Sequence, residues 1–166
     1  TLPPIMFSEE EANALITALQ IILKNKDRSL IEQYSNAITK IKSVLRTDSR
    51  DKAALLEERI AYIKNNDRKV SSDNLMKIQS ALTGQYLVHM KYTAQYDGKT
   101  TNRVIEPMAI YHTQENWIMV AWCRLREDFR DFRLDRIDDL IVSTGSFEPK
   151  AFDLMSYFRR ALEGKK

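Results

Sequence analysis

The side chains with the strongest chemistry in this chain are arginines. Arg124, Arg126, Arg130, Arg133 and Arg136 crowd positions 124–136, just after an apolar run from Trp117 to Cys123. A guanidinium is always charged and presents a planar fork of donors that fits phosphate and carboxylate oxygens. A dense arginine row on a strand, beside tryptophan, is therefore a candidate anion or nucleotide surface. The plainer reading pairs each arginine with a neighbour, because Glu127, Asp128, Asp131, Asp135, Asp138 and Asp139 are interspersed. Both readings stay open at this level.

Other chemistries find less support. His89 and His112 have no serine–acid partner at a recognisable spacing, so no catalytic triad is expected. Two histidines with one cysteine give no zinc-ligand spacing, and no metal or cofactor is expected. Cys123 lies in an apolar strand context that suits a packed thiol more than a nucleophile. A binding module is expected, not an enzyme.

Length and composition bound the rest. With 166 residues and 43% hydrophobic content, the chain can form one or two small domains with real cores. A net charge of +3 announces no global basic field. The apolar runs fall short of the ~20 residues that cross a bilayer, and no signal peptide opens the chain. A cytoplasmic protein with no membrane partner is the expectation. Because the chain opens on Thr1, an N-terminal portion is expected to be missing.

The elements that must position the arginines come in two halves. Residues 1–83 read as helical. Leu2-Pro3-Pro4 is an extended lead-in. Ser8 with Glu11 forms a capping-box signature, followed by a stripe of Leu15, Leu19, Ile22 and Leu23. Ser29 with Glu32 repeats the signature, and Ile31, Tyr34, Ile38, Ile41 and Leu45 follow at spacings of a helical seam. That seam suits the first helix or a second subunit. A third, weaker helix is expected over Lys52 to Ile63, closed by Asn65-Asn66-Asp67. A fourth is expected over Ser71 to Leu82, ended by Gly84. This half reads as scaffold, linker or dimerisation surface.

From Tyr86 the period changes to two. Tyr86, Val88, Met90 and Tyr92 share one strand face, and Asp97-Gly98 signals a hairpin. The returning strand, about Arg103 to Tyr111, contains Pro107, which implies an edge, a bulge or a break. Glu115-Asn116 turns into the strand Trp117 to Cys123. A bend near Glu127-Asp128 precedes Phe129 to Leu134, and Leu140 to Ser143 is a fifth strand. Five short strands joined by tight turns suggest a small half-open barrel. A final helix, about Phe152 to Leu162, would pack Phe152, Met155, Phe158 and Leu162 back on the body.

Alternation puts Arg130, Phe132, Leu134 and Arg136 on one face, with Asp131, Arg133 and Asp135 on the other. Arg133 can join the first set only through a bulge or twist. Arg103 could complete a cationic pocket, and Tyr92 could offer a hydroxyl or a ring. Trp117 and Trp122 have opposite parity and read as core more than as stacking platforms.

Tyr92, Arg103, Pro107, Trp117-Ile118-Met119, Ala121 and the block Arg130-Asp131-Phe132-Arg133-Leu134-Asp135-Arg136-Ile137 resemble the WYL domain in order and spacing. That domain occurs in bacterial transcriptional regulators of the DeoR/YafY-like type, after an N-terminal winged helix-turn-helix. The opening from Leu2 to Ala12 is similar to the helical segment that follows the DNA-reading domain in those regulators. The name-giving Trp-Tyr-Leu triplet reads Trp-Ile-Met here, without a tyrosine hydroxyl at Ile118.

The resemblance implies an α+β chain: a helical region over 1–83, a five-stranded Sm-like or SH3-like barrel over 84–147, and a C-terminal helix within 148–166. It implies a sensor that binds a nucleotide or single-stranded nucleic-acid effector. Tyr92, Arg103, Arg130, Arg133 and Arg136 would form the ligand surface. Operator DNA would be bound through the missing winged helix, and a homodimer is expected. The competing expectation is an Sm-like nucleic-acid or protein interaction module with no transcriptional role.

Overall fold

The computed structural model describes residues 6–61 and 70–164. The chain divides into two units, Thr1–Asp73 and Asn74–Lys166. The Leu2-Pro3-Pro4 lead-in and the Asn65-Asn66-Asp67 stop lie outside the described residues.

The first unit holds helices α1 (Glu9–Ile22), α2 (Arg28–Val44) and α3 (Thr47–Arg59). The capping box at Ser8 is formed: its hydroxyl accepts the Glu11 N–H at 3.2 Å and the Glu11 carboxylate accepts the Ser8 N–H at 2.8 Å. The buried stripe of α1 is Ala12 and Ile16, with Leu15 and Leu19 packed beside it, whereas Leu23 is exposed. Ile16, Ile38 and Ala53 form the centre of this small core, and the α2 seam supplies Tyr34, Ile41 and Leu45 around it. The Tyr34 hydroxyl donates to the Leu15 carbonyl at 2.9 Å, tying the seam to α1.

The second capping box does not form. Asp27 caps α2 instead, its fully buried carboxylate accepting the Leu30 N–H at 3.0 Å and the hydroxyls of Ser29 and Ser72. A buried carboxylate needs several donors at once, and Asp27 has them here. This knot also explains the next helix. Ser71 and Ser72 are held on the Lys26 carbonyl and Arg28 N–H, so α4 starts only at Leu75 and runs to Gly84.

The second unit is α4 (Leu75–Gly84), then β1 (Tyr86–Thr93), β2 (Thr100–His112), β3 (Trp117–Cys123), β4 (Asp128–Arg133) and β5 (Ile137–Ser146), with helix α5 (Leu154–Glu163) last. A 3₁₀ turn, Leu134–Arg136, joins β4 to β5. The strands form one antiparallel sheet in the order β4-β3-β2-β1-β5. The α+β class and the five strands are as expected. The ladder, however, does not close into a barrel, because no pairing joins β4 to β5 among the described residues.

The sheet is nonetheless strongly curled. Strands three places apart in a flat sheet lie about 14 Å apart at ~4.8 Å per step. Yet the Tyr92 ring of β1 meets the Phe132 ring of β4 edge-on at 5.0 Å, and its hydroxyl accepts the Arg133 N–H at 3.2 Å. A bulge between Pro107 and Ala109 shifts the β2–β3 register and reverses which residues of β2 face inward. Leu75, Ile78 and Ala81 of α4 are buried, and this helix packs on β1, β2 and β5. On α5 the packing residues are Tyr157 and Phe158; Met155 and Leu162 are 63% and 70% exposed, against expectation.

The residue that takes the left-handed conformation after α4 is Gln85 (φ 56°), not Gly84, which remains helical. An L-residue there costs roughly 1–2 kcal/mol. The bonds that use this position are to backbone, Gln85 N–H to the Ala81 and Leu82 carbonyls and Phe147 N–H to the Gln85 carbonyl. Gln85→Gly should therefore raise stability by about 0.5–1 kcal/mol in urea unfolding, once the extra freedom of the unfolded glycine is offset. A loss of stability would show that the Gln85 side chain carries weight of its own.

Candidate anion-binding cleft

The sheet register decides which arginines meet. On β1 the inward face carries Val88, Met90 and Tyr92; antiparallel pairing sets Arg103 of β2 opposite Met90, and Ile105 opposite Val88. Ile105 faces Cys123 of β3, while Ala121 and Met119 of β3 face Arg130 and Phe132 of β4. Directly opposed residues share a face. Arg103 and Arg130 thus emerge on the same concave surface although β3 lies between their strands. A cleft of about 430 Å³ opens there, lined by Tyr92, Tyr96, Arg103, Arg126, Arg130 and Phe132, with the Asp131 carboxylate, engaged by two tyrosine hydroxyls, at its edge. That volume lies within the usual range for small-ligand sites.

Each cleft arginine is held differently. Arg103 is half-buried; its Nε donates to Thr101 Oγ1 at 2.9 Å and its Nη1 to Cys123 Sγ at 3.7 Å. Neutral partners fix its direction without neutralising its charge. Arg130 is exposed and only 3.9 Å from the Asp128 carboxylate, a loose pair in water. Arg126 sits in the turn between β3 and β4, where Glu127 takes a left-handed φ of 50°. Among the described residues neither Arg103 nor Arg126 makes an ion pair.

Tyr92 forms part of the cleft wall. Burial pushes its phenol above the ordinary value, against the opposing pull of the Arg133 N–H and the nearby arginine charges. It stays neutral at physiological pH. With the oxygen accepting from Arg133, its proton is available for a ligand oxygen.

Two of the five sequence-predicted residues lie outside this cleft. Arg133 is locked on Asp135 by a two-pronged ion pair, Nε to Oδ1 at 3.0 Å and Nη2 to Oδ2 at 2.7 Å. Burial alone would raise the Asp135 carboxyl, but the Arg133 hydrogen bonds and charge, with Arg136 adding, hold it below its usual range. Arg136 lies in the 3₁₀ turn, which breaks the alternation that had placed it with Arg130; its Nε is buried with no hydrogen-bond partner among the described residues. Arg126 and Tyr96 are the reverse case. Neither stands on a strand, so period-two reasoning does not reach them, though their types beside Arg130 and Asp97-Gly98 were a usable signal.

The opposite face of the sheet carries a further neutralising carboxylate, Glu106. Glu106, almost fully buried, accepts from Arg124 Nε at 3.0 Å and from Lys150 Nζ at 2.7 Å, while Lys150 also lies over the Trp122 ring at 5.1 Å. Trp122 is half-buried and packs edge-on against Phe129. Asp131 accepts the hydroxyl of Tyr111 at 3.2 Å and that of Tyr157 at 2.8 Å, which anchors α5 to β4.

Burial first, then the Asp131 charge and hydrogen bond, push Tyr111 from 10.0 up to about 12, and Tyr157 is raised by the same causes. A raised folded pKa means stabilisation that is fully present below the unfolded value and lost as pH rises through the folded one. The tie of α5 should therefore hold through neutral pH and loosen only between about pH 10 and 12 and above. Ultraviolet titration of tyrosinate should show two late phenols, and Asp131→Asn should bring both part of the way back towards 10. Unchanged late titration in that variant would leave burial as the sole cause.

Residues 73–142 match the family model described as the WYL domain. Over 153 residues the chain is 29% identical to the HTH-type transcriptional regulator YobV of Bacillus subtilis (strain 168), covering 88% of this chain and 46% of that protein. Over 70 residues it is 31% identical to the DNA-binding transcriptional repressor CapW of Escherichia coli (strain KTE188), covering 42% of this chain and 23% of that protein. The chain thus spans less than half the length of these curated relatives. Among solved structures, proteasome accessory factor B/C (PafBC) of Arthrobacter aurescens is similar at a TM-score of 0.44 and 22% identity, over 90% of this chain and 23% of that one.

Proposed function

Because residues 73–142 of this chain are a WYL domain, we propose that it is the effector-sensing part of a bacterial transcriptional regulator, not an enzyme. The observation that supports this most is the cleft itself. It gathers Arg103, Arg126 and Arg130, the first two without an ion pair among the described residues, beside a neutral Tyr92 hydroxyl, and the Asp131 carboxylate in its lining is taken up by Tyr111 and Tyr157. Such an arrangement suits the phosphate of a nucleotide or of a short single strand. Guanidinium forks would hold the oxygens while the apolar wall at Phe132 excludes water.

Operator DNA would be read by a part of the regulator outside these residues, as the names of the relatives suggest for those proteins. An effector can act on that step only by binding two arrangements of the regulator with different affinity. We place the second arrangement in a homodimer formed through the first unit, where Ile21, Val44 and Leu55 are large exposed apolar residues.

The direct test is titration of the chain with labelled single-stranded and duplex oligonucleotides, and with mononucleotides, at two salt concentrations. The single strand should bind with a negative salt slope of about 0.7 per phosphate held. Saturable binding to none of them would overturn the proposal.

A further inference from the structure

The cleft contains two tyrosines, and the structure gives them different employment. Tyr92 is committed: its ring is packed edge-on against Phe132 and its hydroxyl oxygen is taken by the Arg133 N–H. Tyr96 is 80% exposed, yet it lines the same cleft as Arg103, Arg126 and Arg130. Among the described residues no other ring packs on it.

The loop that carries it is firmly rooted. Ala94 N–H donates to the Lys99 carbonyl at 3.1 Å and Gly98 N–H to the Ala94 carbonyl at 3.0 Å. Gly98 takes φ 65°, which glycine adopts without strain, and the Asp97 carboxylate accepts the Lys99 N–H at 3.0 Å. At the root, the Thr100 and Thr93 hydroxyls are 2.7 Å apart and Thr93 donates to Asp138 at 2.6 Å. Such a clip holds an aromatic ring at the mouth of a cationic cleft with part of its ordering cost already met. A simple anion has no use for that ring. A planar base does, because every base presents a π-face to an aromatic side chain.

Resting on the function proposed above, we propose that Tyr96 is the base-stacking residue of the cleft. The preferred ligand is then a nucleotide unit with its phosphate on Arg103, Arg126 and Arg130 and its base against the Tyr96 ring. Phosphate, sulfate and non-aromatic acids are poor ligands on this assignment.

The experiment compares a thymidine single strand with an abasic strand of equal length and charge, using the whole chain, Tyr96→Ala and Tyr96→Phe. The native chain should prefer the base-bearing strand. Tyr96→Ala should weaken that strand roughly 10-fold, in the range of one stacked base, and leave the abasic strand unchanged. Tyr96→Phe, which keeps the ring, should bind as the native chain does. Thymidine monophosphate as competitor separates the two sources of this chemistry: displacement assigns the cleft to a free nucleotide, and failure to displace assigns it to a strand, with the Tyr96→Ala loss required in either case. Equal weakening of both strands, or none of either, overturns the Tyr96 assignment while the cleft reading stands. If the native chain binds neither strand nor mononucleotide, the cleft reading falls first and this assignment with it.

Discussion

Replacing Arg103 and Arg130 together by alanine is expected to weaken single-strand binding roughly 100-fold, the sum of two charge-assisted contacts at the lower end of about 1.5–3 kcal/mol each. The two guanidinium groups come from β2 and β4 and share the inward face of the curled sheet. Loss of both should also reduce the salt slope by about 1.4, since each held phosphate of a single strand contributes about 0.7. Arg130 is exposed, so its removal should leave the fold intact. Arg103 is half-buried against Thr101 and Cys123, so a urea titration of the same variant must accompany the binding curve. Arg133→Ala supplies the contrast. Its fork is already occupied by Asp135, and binding should change less than about 3-fold, within the modest worth of a half-exposed pair. If Arg133→Ala weakens binding as much as the double variant does, the ligand does not use this cleft.

The residues show how far pattern reading carries and where it stops. A period of two is a backbone property, so the inward placement of Tyr92, Arg103 and Arg130 follows from alternation once the strands are paired correctly. The bulge at Pro107 was foreseeable because proline withholds a ladder donor. Alternation ends wherever the strand ends. The 3₁₀ turn at Leu134–Arg136 therefore removed Arg136 from the face that parity gave it. Turns obey no period at all, so Arg126 and Tyr96 enter the cleft through loop geometry that their spacing does not encode.

The start of α1 at Ser8 was legible, whereas that of α2 was missed for a related reason. Ser29 with Glu32 is a local signature, but Asp27 wins through a hydroxyl from Ser72, 45 positions along the chain. Local propensity loses when a distant residue satisfies a buried charge. The same rule explains the half-correct view of the arginine row. Arg124 and Arg133 are neutralised, as the plainer reading held, because Glu106 and Asp135 reach them; among the described residues Arg103 and Arg126 are not.

Removing both cations around Glu106, as Arg124→Ala with Lys150→Ala, should destabilise the second unit by about 3 kcal/mol or more. A buried carboxylate would then lie without compensation. Removing the carboxylate itself should cost far less. Glu106→Met fills a similar volume, and Arg124 and Lys150, at 46% and 35% side-chain exposure, can turn to solvent. The expected loss is about 1 kcal/mol or below, because a buried ion pair traded for apolar packing is often nearly neutral. This ordering runs against the intuition that the buried residue of a cluster matters most. Desolvation has already been imposed on Glu106, and only its partners offset it. Lys150 lies in the segment between β5 and α5, so hydrogen exchange in α5 should quicken in the double variant and much less in Glu106→Met. Equal stability losses in the two would mean that the cluster acts by packing, through the Lys150 stem on Trp122, and not by charge.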